Sequence, residues 1–80
     1  MANFEITNNY NQQIIAHNIR NIISERGLTQ TQAGERIGIT QQQMASYISK
    51  IQPRTISAVN LMLFAKAMSK PVGYFYKDNS

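Results

Sequence analysis

The chain contains no cysteine among its 80 residues. That absence removes disulfide staples and thiolate metal sites together, and it suits a reducing cytoplasm. Long apolar runs are missing as well. The longest wholly apolar stretch, residues 61–65, is far too short to span a bilayer. The amino terminus, Met1-Ala2-Asn3-Phe4-Glu5, has neither the basic segment nor the apolar stretch of a secretory signal. A soluble, cytoplasmic protein, or a fragment of one, is the expectation. Acidic residues are scarce: four Asp and Glu stand against eight Lys and Arg, for a net charge of +4. Glu5, Glu25, Glu35 and Asp78 are dispersed, and no Gly-rich phosphate loop occurs. The single histidine, His17, has no second ligand to complete a metal site and reads as an exposed helix residue. These gaps argue against an enzyme, a metal site and a bound cofactor.

An excess of basic charge draws a small domain to nucleic acid or to an anionic membrane surface. Here the cations are scattered singly, as Arg20, Arg26, Arg36, Lys50, Arg54, Lys66, Lys70 and Lys77. A membrane-surface helix would gather them opposite a large apolar face. Nucleic acid is therefore the favoured partner. Eighty residues make one domain. A chain of this size buries only about 60–65% of the surface that its unfolded form exposes, so each large apolar residue matters.

Residues 1–8 are polar and aperiodic apart from Phe4 and Ile6, and read as an arm. Asn8 or Asn9 can cap a first helix, in which Ile15, Ile19, Ile22 and Ile23 follow helical spacing and Gly27 supplies the closing left-handed residue. Thr29 with Gln32 fits a capping box and opens a second helix at Gln30, which Gly38 ends. Thr40 with Gln43 repeats the pattern and opens a third helix to about Ser49. Pro53 marks a loop over residues 50–55. A fourth helix runs from Ser57 or slightly earlier to Met68. Pro71 fits the first turn of a short last helix over 72–76, and 77–80 fray. No segment shows sustained strand alternation. An all-α domain of five helices over residues 9–76 is predicted.

Within it, residues 30–49 form one unit. Ala33, Ile37, Ile39, Met44 and Tyr47 supply inner positions, Gly34 the small residue at a close approach, and Gly38 a turn tolerant of positive φ. This is the spacing of a helix-turn-helix, which presents its second helix to the major groove. The run Leu28-Thr29-Gln30-Thr31-Gln32-Ala33-Gly34-Glu35-Arg36-Ile37-Gly38-Ile39-Thr40 resembles the Cro and phage-repressor family of helix-turn-helix proteins. Ile19-Arg20, Phe64-Ala65-Lys66-Ala67-Met68 and Val72-Gly73-Tyr74-Phe75 extend the resemblance across residues 15–76. It implies a lambda-repressor-like fold and a sequence-specific, double-stranded-DNA-binding transcriptional regulator, a repressor before an activator. An antitoxin or other protein-interaction module of the same fold is the alternative. The chain departs from the family where many members pair an Arg late in helix one with a Glu just after the recognition helix. Ile23 and Ile48 occupy those positions and are expected to touch. Replacing a buried ion pair by an apolar contact can be neutral or stabilising.

At about 100° per residue, a core-facing Met44 puts Tyr47, Ile48 and Ile51 on one buried stripe. Gln42, Ser46 and Ser49 then face the other way, with Gln41 beside them in the first turn. A glutamine can bond adenine through N6 and N7, and a Thr methyl can touch the methyl of thymine. Gln41, Gln42 and Ser46 are the expected base readers, with Thr40 at the cap. Gln43 also stands in this set, although its capping role alone accounts for it. Gln30, Lys50 and Arg54 are the expected phosphate contacts, which hold register without reading sequence. Arg20 is a further candidate for the DNA backbone, or is merely exposed. Finally, residues 61–64 are apolar around most of helix four, so Met62 or Leu63 needs a cover beyond the core. Either the arm folds back with Phe4 or Ile6, or a second subunit covers them in a homodimer on a palindromic operator, together with Tyr74 or Tyr76.

Overall fold

A computed structural model describes the backbone of residues 2–78 and the side chains of residues 12–78. The described residues form four α-helices and one 3-10 helix, with no strand. They are α1 (Ala2–Glu25), α2 (Gln30–Glu35), α3 (Gln41–Tyr47), α4 (Ala58–Ala67) and the 3-10 helix Val72–Tyr76.

The first helix begins at Ala2 and not at Asn8 or Asn9, so positions 2–8, expected as an arm, carry helical backbone. No Gly or Pro falls between Ala2 and Glu25. Once a helix is nucleated, each Asn in its path costs only about 0.7 kcal/mol relative to Ala, too little to stop propagation. The side chains of Phe4 and Ile6, proposed as a cover for helix four, lie outside the described residues.

Both capping boxes form. Thr29 Oγ1 accepts from the Gln32 amide while Gln32 Oε1 accepts from the Thr29 amide; Thr40 and Gln43 make the same exchange. Ser57 Oγ accepts from the Asn60 amide and starts α4. Three helix ends close in one way. After α1, the Gly27 and Leu28 amides turn back to the carbonyls of Ser24 and Ile23. After α2, those of Gly38 and Ile39 return to Glu35 and Gly34. After α4, those of Ser69 and Lys70 return to Lys66 and Ala65. This is the Schellman pattern, which needs a left-handed residue at the turn. Gly27 and Gly38 supply it at φ 66° and 75°, and Ser69 adopts φ 57° despite its side chain.

The last element is the expected short helix over 72–76, in 3-10 form. Residues 72–76 form a 3-10 helix that follows Pro71, with the Tyr74 amide bonded to the Pro71 carbonyl at 3.0 Å. Gly73, poorly suited to helix, and a length of five residues favour the tighter spacing. Burial of Phe75, edge-on to Phe64 at 5.7 Å, holds the segment in place. The 3-10 helix packs on both α1 and α4, while α2 packs chiefly on α3.

One core joins all five elements. It contains Ile15, Ile19, Ile22 and Ile23 of α1, Ala33 of α2, Met44 and Ile48 at α3, and Leu61, Phe64, Ala65 and Met68 at α4, with Phe75 closing it. Ile37, Ile39 and Tyr47 pack against it partly buried. Among the described residues, Asn18 is the one polar side chain that is fully buried. Its Nδ2 donates to the carbonyls of Tyr74, Phe75 and Lys77 at 3.3, 3.0 and 2.8 Å. Lys77, expected to fray, is thereby tied to α1.

Candidate nucleic-acid interface

α2 and α3 meet where Gly34 faces the turn. A Cβ on Gly34 would lie 2.8 Å from the Ile39 carbonyl oxygen and 3.2 Å from that of Thr40. Only glycine permits this approach without backbone movement. The two helix starts are thereby brought together, and Gln41 Nε2 donates to Gln30 Oε1 at 2.8 Å. Gln41 and Gln42 are exposed on the first turn of α3. Thr40 and Gln43 are exposed too, but their side chains are engaged in capping the helix.

Ser46 is half-buried, and its hydroxyl donates to the Gln43 carbonyl at 2.7 Å, so its oxygen is left to accept. The Ser46 carbonyl accepts from the Arg54 amide at 2.9 Å, pinning the loop against α3. Arg54 is exposed in an open groove with Ser46, Ser49, Gln52, Pro53 and Thr55. Lys50 is exposed just beyond the helix. Ser49 was expected on this face with Gln42 and Ser46, whereas Gln52 and Thr55 were not expected beside it. A polar loop of uncertain path gave no sequence signal for them.

Three expectations are corrected. Ile51 is 92% exposed and no part of the buried stripe. α3 stops at Tyr47, and the Ile51 and Gln52 amides turn onto Ser49 Oγ, so helical periodicity has no meaning at position 51. Arg20 is half-buried and not simply exposed: it donates from Nη1 to the Ile48 carbonyl at 2.7 Å. His17 is half-buried, with Nε2 3.1 Å from Asn21 Nδ2.

The helix order, the two boxes and the glycine contact constrain the type of protein. Residues 18–75 match the model of the helix-turn-helix family. The chain belongs to the Cro and phage-repressor family of helix-turn-helix proteins. No curated protein and no solved structure matches it. Membership makes this a domain that binds double-stranded DNA. No described helix is long and apolar enough to cross a membrane. The family's arginine and glutamate positions, held here by Ile23 and Ile48, are both buried in the common core.

Proposed function

We propose that the domain is a transcriptional repressor that reads a palindromic operator in the major groove with α3, as a cytoplasmic homodimer. The Gln41–Gln30 hydrogen bond carries the reading. It fixes the polarity of both amides. With its oxygen turned to Gln41, Gln30 keeps both N–H groups of its amide to offer, which suits a phosphate oxygen. Gln41 keeps its carbonyl oxygen and one N–H, the pair that adenine N6 and N7 require. Gln42 stands beside it as the second reader, and Thr40 offers a methyl at the same end. Ser46 accepts from a base amino group. Gln43 serves chiefly as the cap. Lys50 and Arg54 neutralise phosphates along the loop and make binding salt-dependent.

The dimer rests on a separate observation. Val59, Met62 and Leu63 are 66%, 60% and 44% exposed and line one apolar groove with Lys66. The core uses Leu61, Phe64 and Ala65 of the same helix, so this second face needs a partner. A second copy supplies one and doubles the few base pairs that one seven-residue helix reads. Selection of bound sequences from random duplex DNA, with mass measurement of the complex, tests both parts. Two proteins on an inverted repeat containing adenine at the Gln41 contact is the expected result. Absence of any preferred sequence overturns the reading.

A further inference from the structure

α3 has seven residues and no basic residue in its last turn. The final carbonyls of a helix lack intrahelical donors and carry partial negative charge. At α3 that deficit is met from another element. The Arg20 guanidinium on α1 donates to the Ile48 carbonyl at 2.7 Å and reaches the Ser49 carbonyl at 3.5 Å. Arg26 does the same for α4, donating from Nη2 to the Met68 carbonyl at 2.6 Å. One arginine on α1 and one in the turn that follows it thus direct their charge at the ends of other helices.

The two cases differ in consequence. Ile48 and Ser49 are the residues at which the recognition helix gives way to the loop bearing Lys50 and Arg54. So short a helix does not hold its own shape. Its pitch against the DNA depends on what grips its two ends. The amino-terminal end is held by the Thr40–Gln43 box and by the turn under Gly34. The carboxy-terminal end is held by burial of Ile48 and by Arg20.

We propose that Arg20 is a positioning residue for sequence reading. It fixes the end of α3 and the start of the loop from inside the fold, and its charge makes no phosphate contact. The inference rests on α3 being the base reader.

The test compares the parent with Arg20→Met and Arg20→Lys. Binding to the selected duplex and to random-sequence duplex is titrated over a range of salt, with thermal unfolding followed alongside. Arg20→Met should lose on the order of tenfold in affinity for the selected duplex. Its affinity for random duplex and its slope of log K against log salt should stay those of the parent. Both carbonyls are met by Nη1, and Arg20→Lys keeps a charged nitrogen but sets it on a flexible stem without the rigid guanidinium plane, so a smaller loss at the same slope is expected. It also serves if the Met variant fails to fold. Affinities that fall together on both duplexes, with the slope reduced by about 0.9, would show a phosphate contact and overturn the proposal. A lower unfolding midpoint with both affinities intact would show a purely structural role and overturn it as well, as would parental selectivity in Arg20→Lys. A parent that prefers no duplex removes the base-reading proposal itself, and that is seen before any variant is made.

Discussion

Gln41 donates to Gln30 across the helix-turn-helix at 2.8 Å, so the first residue of the recognition helix is oriented by the first residue of the helix before it. Two flexible amides that hold each other have less rotamer freedom to lose when DNA arrives. Gln30→Ala and Gln41→Ala should therefore be coupled in DNA binding. The double variant is expected to bind more tightly than the sum of single losses implies, by about 0.5–1.5 kcal/mol. A double-mutant cycle by titration measures it, and strictly additive losses would show that the pair is not maintained on DNA.

Two glycines in the same motif should fail for different reasons. Gly34→Ala places a methyl against backbone at Ile39 and Thr40, which cannot yield as a side chain can. A loss of about 2–3 kcal/mol is expected. At Gly38 nothing lies within 4 Å of the added Cβ, and only φ of 75° is strained. Gly38→Ala should cost about 1–2 kcal/mol. The converse applies at Ser69, where φ is 57°: Ser69→Gly should stabilise by about 0.5–1 kcal/mol. Urea unfolding of the three variants checks the order, and a destabilised Ser69→Gly would contradict this account of the turn.

Much of this was legible beforehand because it is local. Thr29 with Gln32 and Thr40 with Gln43 fix two helix starts within four residues each, and Gly27 and Gly38 fix two ends. The remainder depends on distant partners. Nothing adjacent to Asn18 shows that it binds carbonyls 56 to 59 positions away. The end of α4 falls at Met68 as read from the sequence, but a left-handed Ser69 carries no flag of its own. Ile51 and Arg20 give no local sign of their positions, because helical periodicity ends at Tyr47 and a cation on an outer helix resembles a surface charge.

Asn18 gives the clearest test of that hidden part. Asn18→Ala leaves three carbonyls without this donor, and a loss of about 2–4 kcal/mol is expected. Amide exchange at Tyr74 and Lys77 should accelerate more than at Met44. Uniform acceleration would mean that Asn18 does not pin the 3-10 helix locally.

Ile23 and Ile48 stand in one core where the family pattern has charges. Ile23→Ala and Ile48→Ala should each destabilise by about 2–4 kcal/mol, and their effects should not add if the side chains touch. Additive effects would place them in separate parts of the core. Apart from that core, Met62→Glu or Leu63→Glu should leave the unfolding midpoint nearly unchanged while converting the complex on a palindromic duplex from two proteins to one. Sedimentation reads this directly, and variants that still pair as the parent does would assign the groove to another partner.

If α3 reads sequence through its first-turn glutamines, repeating the duplex selection with Gln41→Ala and Gln42→Ala beside the parent will show it. Each variant should lose about 1–3 kcal/mol on the parental sequence and relax its preference at one or two base pairs, adenines in the parental site. Lys50→Ala and Arg54→Ala, run as controls, should weaken all sequences alike and flatten the salt dependence. If both glutamine variants select the parental sequence with parental affinity, α3 is not the reader and the account fails.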